Sequence, residues 1–299
     1  MASARLLSIP GRLVLVGKRP DGDSIRFVPD SPAGLRRLDG AERLRPSGDG
    51  SVQLRFEGID APETHYGRYA QPLGTEARDR LLALAGFGAV TLDASGTVTG
   101  ASPTTRVATV LSKAVEANGR PVAYVFVGER RPRRAGLTEL DATLLRRSLN
   151  ARLLAGGLAY LTLYTSTPEL DRRVLTELAR GPRDRRQGVW GADRSRGFLL
   201  TDHDSIGPGG ALVLPKLFRR CNDYLTDRER GFEGTLAEWL RATPPGARPR
   251  DDGVIVGGRR TRLSALVGQE GDRLSFSTDL LDLVFVENPP LSRSGPRRK

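Results

Sequence analysis

The chain has 299 residues, of which 38% are hydrophobic, so it can bury a full core and has room for one large domain or two smaller ones. With 47 Lys and Arg against 35 Asp and Glu, its formal net charge is +12, and residues 1–202 carry most of the excess with 31 basic and 22 acidic residues. This balance favours a polyanionic partner, nucleic acid first. One cysteine excludes an internal disulfide, and two histidines are too few for a histidine-rich metal site, so oxygen ligands are expected for any metal.

The first twenty residues do not form a standard secretory signal. Pro10, Gly11 and Arg12 interrupt the stretch where its apolar region would lie, and no run in the chain approaches membrane-spanning length. The sequence therefore predicts a cytoplasmic protein with no membrane contact. Export by a non-standard route is the alternative that stays open.

The first half reads as short strands. Residues 11–17 and 24–28 flank the turn-forming DGD at 21–23, and residues 29–50 are rich enough in Pro, Gly and Asp to predict a long surface loop. Residues 52–56 alternate apolar and polar side chains, which predicts a strand with Arg55 on its polar face.

A hairpin and three helices are predicted next. Asn118-Gly119 is a strong hairpin signal between two β-rich runs, and it places Arg120 at a strand entrance. The helices are expected at about residues 75–84, from Asn150 as N-cap to Gly156, and from Thr167 as cap with Pro168 in the first position. Short strands closed by helices suggest a small OB-type β-barrel.

The character of the chain changes after Trp190. Helical stretches at about 212–225 and 233–242 are followed by a hairpin pattern at Gly257-Gly258 and a final apolar run. We expect a small C-terminal α+β unit over residues 203–292 and a basic, disordered tail over 293–299. The arginine cluster at 130–134 is expected to be a solvated loop, with added affinity for phosphates as the alternative.

The stretch RFEGIDAPET, residues 55–64, is the most informative one. Pro62 prevents a continuous helix between Asp60 and Glu63 and holds Ala61 in an extended conformation. Both carboxylates are thus expected on a kinked strand exit. Taken alone, the stretch is more typical of a surface turn with a glutamate at a helix start.

Five motifs in order give the chain a family resemblance: DGDS at 21–24, RFEGIDAPET at 55–64, QPLGTEA at 71–77, NGRPVAYVFV at 118–127 and NARLLAGGLAY at 150–160. With QGVW at 187–190, the chain resembles the staphylococcal nuclease, or thermonuclease-like, family over residues 11–195. The resemblance implies an α+β fold in which helices pack on a five-stranded OB-type β-barrel.

The resemblance also implies a function and its residues. Asp23, Asp60 and the carbonyl of Ala61 would bind Ca²⁺, Arg55 and Arg120 would bind phosphate, and Glu63 would be the general base. The implied enzyme is a metal-dependent phosphodiesterase that cleaves DNA and/or RNA with little sequence preference and leaves 3′-phosphate ends. The tyrosine expected for nucleotide stacking has no direct match, and Tyr160 and Tyr164 are the nearest candidates.

These residue types suit that chemistry. Attack on a phosphodiester adds negative charge to its oxygens, and the planar fork of arginine grips two of them where lysine offers a point charge. Calcium accepts six to eight oxygen ligands, so two carboxylates and a carbonyl leave positions for water and substrate. All five implied side chains are present, which favours an enzyme.

Two other hypotheses stay open. The chain is alternatively a catalytically inactive OB-fold module that binds nucleic acid, as in relatives that have lost site residues. A third hypothesis makes the C-terminal unit a domain that binds a protein partner.

Overall fold

The computed structural model describes residues 4–128, 136–244 and 246–287. The arginine cluster at 130–134 and the basic tail at 293–299 lie outside these residues. The strands are β1 (Ala4–Val14), β2 (Arg26–Pro29), β3 (Val52–Gln53), β4 (Arg55–Phe56), β5 (Ile59–Asp60), β6 (Ala89–Leu92), β7 (Val98–Ser102), β8 (Thr105–Val115), β9 (Pro121–Val127), β10 (Gly136–Leu140), β11 (Tyr160–Leu161), β12 (Leu163–Tyr164), β13 (Phe198–Leu199), β14 (Gly253–Val256), β15 (Arg259–Arg262), β16 (Val267–Glu270), β17 (Arg273–Phe276) and β18 (Leu283–Phe285). The helices are α1 (Pro32–Leu35), α2 (Gly74–Leu84), α3 (Ala142–Arg147), α4 (Leu149–Ala155), α5 (Glu169–Asp184), α6 (Val189–Ala192), α7 (Pro215–Glu229) and α8 (Leu236–Arg241), with short 3₁₀ helices at Ala41–Arg43, Asp204–Ile206, Leu263–Leu266 and Leu280–Asp282.

One extended segment, residues 52–56, closes the main sheet into a barrel. Its first part, β3, pairs antiparallel with β2, and its second part, β4, pairs parallel with β9, where Arg55 lies opposite Val122. The sheet order β3-β2-β1-β8-β9-β4 therefore begins and ends in the same stretch of chain. With β3 and β4 counted as one strand, this is the five-stranded OB-type barrel that the sequence predicts.

The hairpin between β8 and β9 is confirmed. The two strands are antiparallel, and Gly119 has a φ of +85°, a left-handed conformation that other residues rarely adopt. The turn brings Arg120 to the start of β9, next to the open end of the barrel.

Helix α4 is tied to the barrel by a buried asparagine. The Asn150 side chain donates to the carbonyls of Glu57 (2.9 Å) and Ala123 (3.0 Å) and accepts from the N–H of Val125 (3.1 Å). These bonds satisfy the hydrogen-bonding capacity of backbone groups of β9 beyond the point where β4 ends. The same carbonyl of Ala123 also accepts from the N–H of Glu57, so the asparagine fixes the chain just before the predicted site.

Two predicted helix caps are wrong. Ser148, not Asn150, caps α4 by accepting from the N–H of Ala151, because the Asn150 amide is already engaged in the barrel. Pro168, not Thr167, is the N-cap of α5, and the Thr167 hydroxyl donates to Glu57 instead (2.7 Å). In both cases a long-range contact takes the polar side chain that local pattern assigns to a helix end.

The predicted surface loop at residues 29–50 is partly structured. It contains α1 and a 3₁₀ helix, and Leu35 and Leu38 are buried in the core of the barrel. Their burial explains why this segment holds a defined course despite its content of Pro and Gly.

The second half of the chain builds its own core. Apolar residues of α7, α8, β14, β17 and β18 are buried together, with Trp239 and Phe218 among the largest, and Tyr160 from the barrel side joins them. The predicted hairpin at Gly257-Gly258 joins β14 and β15, and β18 pairs with β12 in parallel. Strand β12 thus links the two cores. None of the helices in the described residues is long and apolar enough to cross a membrane.

Replacing Asn150 with alanine should destabilise the barrel. The substitution leaves buried backbone groups of Glu57 and Val125 without this partner, so we expect the free energy of unfolding to fall by about 3 kcal/mol in urea titrations. Asn118→Ala is the matched control, since Asn118 is exposed at a turn and should change stability by less than about 0.5 kcal/mol. Equal effects of the two substitutions would contradict this account of Asn150.

Candidate active site

Two turns bring the predicted carboxylates together. Asp60 ends β5, which pairs with β11, and Glu63 follows after Pro62. Asp23 lies in the turn before β2, and its backbone carbonyl accepts from the N–H of Phe56 (3.1 Å). The Asp23 carboxylate accepts from the N–H of Ala61 (3.4 Å), so the two turns touch at the predicted site.

Gly22 permits this contact. A Cβ on Gly22 would lie 2.7 Å from the Cβ of Ala61 and 2.9 Å from that of Ala77, closer than carbon atoms pack. The neighbouring Asp21 is buried and binds both turns, because its Oδ1 accepts from the N–H groups of Gly22 (2.8 Å) and Thr64 (3.0 Å). The DGD sequence therefore serves as more than a turn, and Asp21 adds a further carboxylate beside the predicted site.

The two predicted arginines approach from the barrel side. Arg55 on β4 donates from Nη2 to the hydroxyl of Tyr164 (3.1 Å), and Arg120 donates from Nε to Glu116 (3.0 Å). Of the two tyrosine candidates, Tyr164 lines the site, whereas Tyr160 is buried and donates to Asp193 (2.9 Å). Arg120 keeps part of its side chain exposed, so it remains accessible to a ligand.

All five predicted side chains line one cavity of about 590 Å³. They are Asp23, Arg55, Asp60, Glu63 and Arg120. This volume is in the range of small-molecule and cofactor sites. His65 follows Thr64 in the sequence but is not among the described residues that line the cavity. Its Nδ1 lies 2.9 Å from the Thr64 hydroxyl oxygen.

The C-terminal unit contributes a residue that sequence reasoning missed. Arg219 on α7 donates from Nη2 to Asp60 Oδ2 (2.8 Å) and from Nη1 to Asp60 Oδ1 (3.3 Å), and Nη1 also contacts Glu63 Oε1. One guanidinium thus pairs with both oxygens of Asp60 and with the predicted base. No local motif marks Arg219, which is one of three arginines on the amphipathic helix α7.

Lys216 lies one turn earlier on α7 and lines the same cavity. Its Nζ is 3.3 Å from Asp252 Oδ1 and 4.5 Å from the centre of the Phe285 ring. Both contacts are to the C-terminal unit, and they hold the Lys216 ammonium, the second basic group that α7 contributes, at the edge of the cavity. The cavity is therefore lined by basic groups from both halves of the chain.

Burial and charge shift the pKa values of these groups. Burial, together with the carboxylates of Asp60 and Asp21, raises the pKa of Asp23 to about 7. Burial also raises the pKa of Asp60, but the Arg219 guanidinium outweighs this effect and the pKa of Asp60 falls below its usual value. For Glu63, burial prevails over Arg219 and raises the pKa. Asp23 and Glu63 are therefore the two carboxylates whose charged forms an added cation would stabilise.

The oxygen donors implied for a calcium site are present, with one obstacle. Asp23, Asp60 and the Ala61 carbonyl are hard oxygen ligands of the kind that Ca²⁺ prefers. Within the described residues, no group of three or more acidic, His or Cys side chains is arranged to hold a metal ion. The implied set has only two side chains, and Arg219 pairs with both oxygens of one of them. The residue types suit the ion, but Asp60 is not available to it while both of its oxygens pair with Arg219.

Comparison with known families agrees with this architecture. Residues 53–192 match the family model described as staphylococcal nuclease homologue. The chain therefore contains a domain of the staphylococcal nuclease family, which points to a nuclease or a nucleic-acid-binding function. The matched range includes Arg55, Asp60, Glu63 and Arg120, while Asp23 lies before it and Arg219 after it. No curated protein matches the chain.

Proposed function

We propose that this protein is a calcium-dependent nuclease that hydrolyses phosphodiester bonds in DNA and/or RNA with little sequence preference and leaves 3′-phosphate ends. The supporting observation is the cavity that gathers Asp23, Arg55, Asp60, Glu63 and Arg120. We assign residues 11–195 to the nuclease domain and residues 203–292 to a C-terminal unit that borders its site.

Each side chain has a role in this proposal. Arg55 and Arg120 bind the non-bridging oxygens of the phosphate, where negative charge grows as water attacks. Glu63 takes a proton from the attacking water while the water oxygen bonds to phosphorus. The bond from phosphorus to O5′ breaks, and O5′ leaves with the bonding electrons and takes up a proton from solvent. Tyr164, which already bonds to Arg55, orients this arginine within the cavity.

Asp23, Asp60 and the carbonyl of Ala61 would hold the calcium ion. When bound, the ion supplies positive charge beside the phosphate. Asp60 can take part only after it exchanges Arg219 for the ion, since one guanidinium occupies both of its oxygens.

A second candidate function is that of an inactive nucleic-acid-binding module. The observation that favours it is the pairing of Arg219 with Glu63 as well as Asp60, because a base engaged in an ion pair does not accept a proton from water. Cleavage assays separate the two candidates.

The first prediction concerns Glu63. The purified protein should cut single-stranded and duplex DNA with calcium, stop when a chelator is added, and recover when calcium is restored. Magnesium should substitute poorly, since it demands compact octahedral coordination. Glu63→Gln should lower the cleavage rate by about 10²-fold or more, because the amide cannot accept the proton.

Glu177→Gln is the matched control. Glu177 is exposed on α5 and pairs with Arg146 far from the cavity lining, so its substitution should leave cleavage unchanged. Binding of DNA without cleavage at any calcium concentration would instead support the inactive module. Cleavage that resists the chelator would contradict the metal assignment.

A second prediction concerns the two site arginines. Arg55→Lys and Arg120→Lys should each lower the cleavage rate by about 10²-fold, because an ammonium cannot form two parallel hydrogen bonds to phosphate. Arg146→Lys, which conserves a surface ion pair with Glu177, serves as the control and should retain full activity. Wild-type rates in the two site variants would remove these arginines from the proposal.

A further inference from the structure

Arg219 occupies the position that a cation bound to Asp60 would need. Its two terminal nitrogens face the two carboxylate oxygens of Asp60 side by side, at 2.8 and 3.3 Å. The same Nη1 that contacts Asp60 Oδ1 also contacts Glu63. Neither a metal ion nor any other cation can approach Asp60 from this side while the Arg219 guanidinium is in place.

Other contacts hold α7 in this position. The hydroxyl of Tyr66 donates to Asp223 on α7 (2.9 and 3.0 Å), and the Gln71 amide donates to the carbonyl of Val213 just before the helix (2.7 Å). The opposite face of α7 is buried in the second core through Phe218 and Cys221. The helix therefore stays docked beside Glu63 without help from Arg219, and the guanidinium is delivered to the cavity by a rigid element.

Removing the guanidinium would leave four carboxylates along one cavity without this counter-charge. Asp21, Asp23, Asp60 and Glu63 all line the cavity, and Arg219 is the described residue that bonds directly to two of them. Without it, these carboxylates repel one another in a partly buried space, which a divalent ion relieves. Arg219 and a divalent ion are alternative partners for the same oxygens.

We propose that Arg219 is an internal competitor of the divalent cation at Asp60 and Glu63, so that cation binding requires Arg219 to leave both carboxylates. This inference rests on the proposed function. It places calcium binding at the proposed site under the control of the C-terminal unit, which carries Arg219. The apparent affinity for the ion is then reduced by the fraction of molecules in which Arg219 occupies the site. Anything that draws the Arg219 side chain away from the cavity raises that affinity.

The test is calcium binding by isothermal titration calorimetry to the full chain and three variants. Arg219→Gln removes the competing charge and should tighten the Kd for calcium by about tenfold or more, equivalent to about 1.4 kcal/mol. Arg219→Lys keeps a cation but loses the fork, so its Kd should lie between those of Arg219→Gln and wild type. Because it conserves the charge, it also provides a folded variant if the glutamine substitution unfolds the protein.

Arg220→Gln is the matched control. Arg220 is the next residue on α7, but it does not line the cavity and bonds to neither Asp60 nor Glu63. Its partner Asp252 (2.9 Å) lines the cavity and keeps its contact with Lys216, so the substitution should leave the Kd close to the wild-type value. Equal or weaker calcium binding by the Arg219 variants would overturn the inference and make Arg219 a partner of the ion. Equal tightening in Arg220→Gln would also overturn it, since the effect would then be one of general charge.

Parallel cleavage assays keep this inference apart from the proposed function. Tighter calcium binding in the Arg219 variants without any cleavage would support the competition and contradict the nuclease. Cleavage with unchanged calcium affinity would support the nuclease and contradict the competition. Absence of calcium binding in every variant would overturn the inference, whatever the cleavage result.

Discussion

The Arg219 guanidinium pairs with two carboxylates that share a partly buried cavity. Burying Asp60 and Glu63 together costs free energy from desolvation and mutual repulsion, and an arginine that bonds to both offsets it. That arginine comes from α7, which belongs to the second core. The arrangement of the candidate site therefore depends on how the C-terminal unit packs against the barrel.

Backbone contacts within the barrel fix the position of the residues that it contributes to the cavity. The segment at residues 52–56 closes the sheet and carries Arg55, while the turn at residues 21–24 lies against Ala61 because Gly22 has no side chain. Asn150 and Asp21 then fix the neighbouring chain through buried hydrogen bonds. Rigid placement of this kind lets a few charged groups act on a ligand without reorganising first.

Local sequence patterns predicted much of the barrel and the barrel's part of the site. The alternation at residues 52–56 and the turn at Asn118-Gly119 correspond to observed strands, because both signals arise from neighbouring residues. The capping roles predicted for Asn150 and Thr167 are wrong, since each side chain bonds to a part of the chain that is distant in the sequence. Arg219 left no local signal either, because its partners lie 159 and 156 residues earlier.

The pairing of Arg219 with Asp60 is the central claim, and a double-mutant cycle on protein stability tests it most directly. Unfolding free energies would be measured for wild type, Asp60→Asn, Arg219→Gln and the double variant. The account predicts a coupling energy of at least about 1.5 kcal/mol, because Arg219→Gln leaves the buried Asp60 carboxylate without its two-pronged partner and Asp60→Asn leaves Arg219 paired with Glu63 alone. Additive effects within about 0.5 kcal/mol would mean that the two side chains do not interact, and would contradict the account.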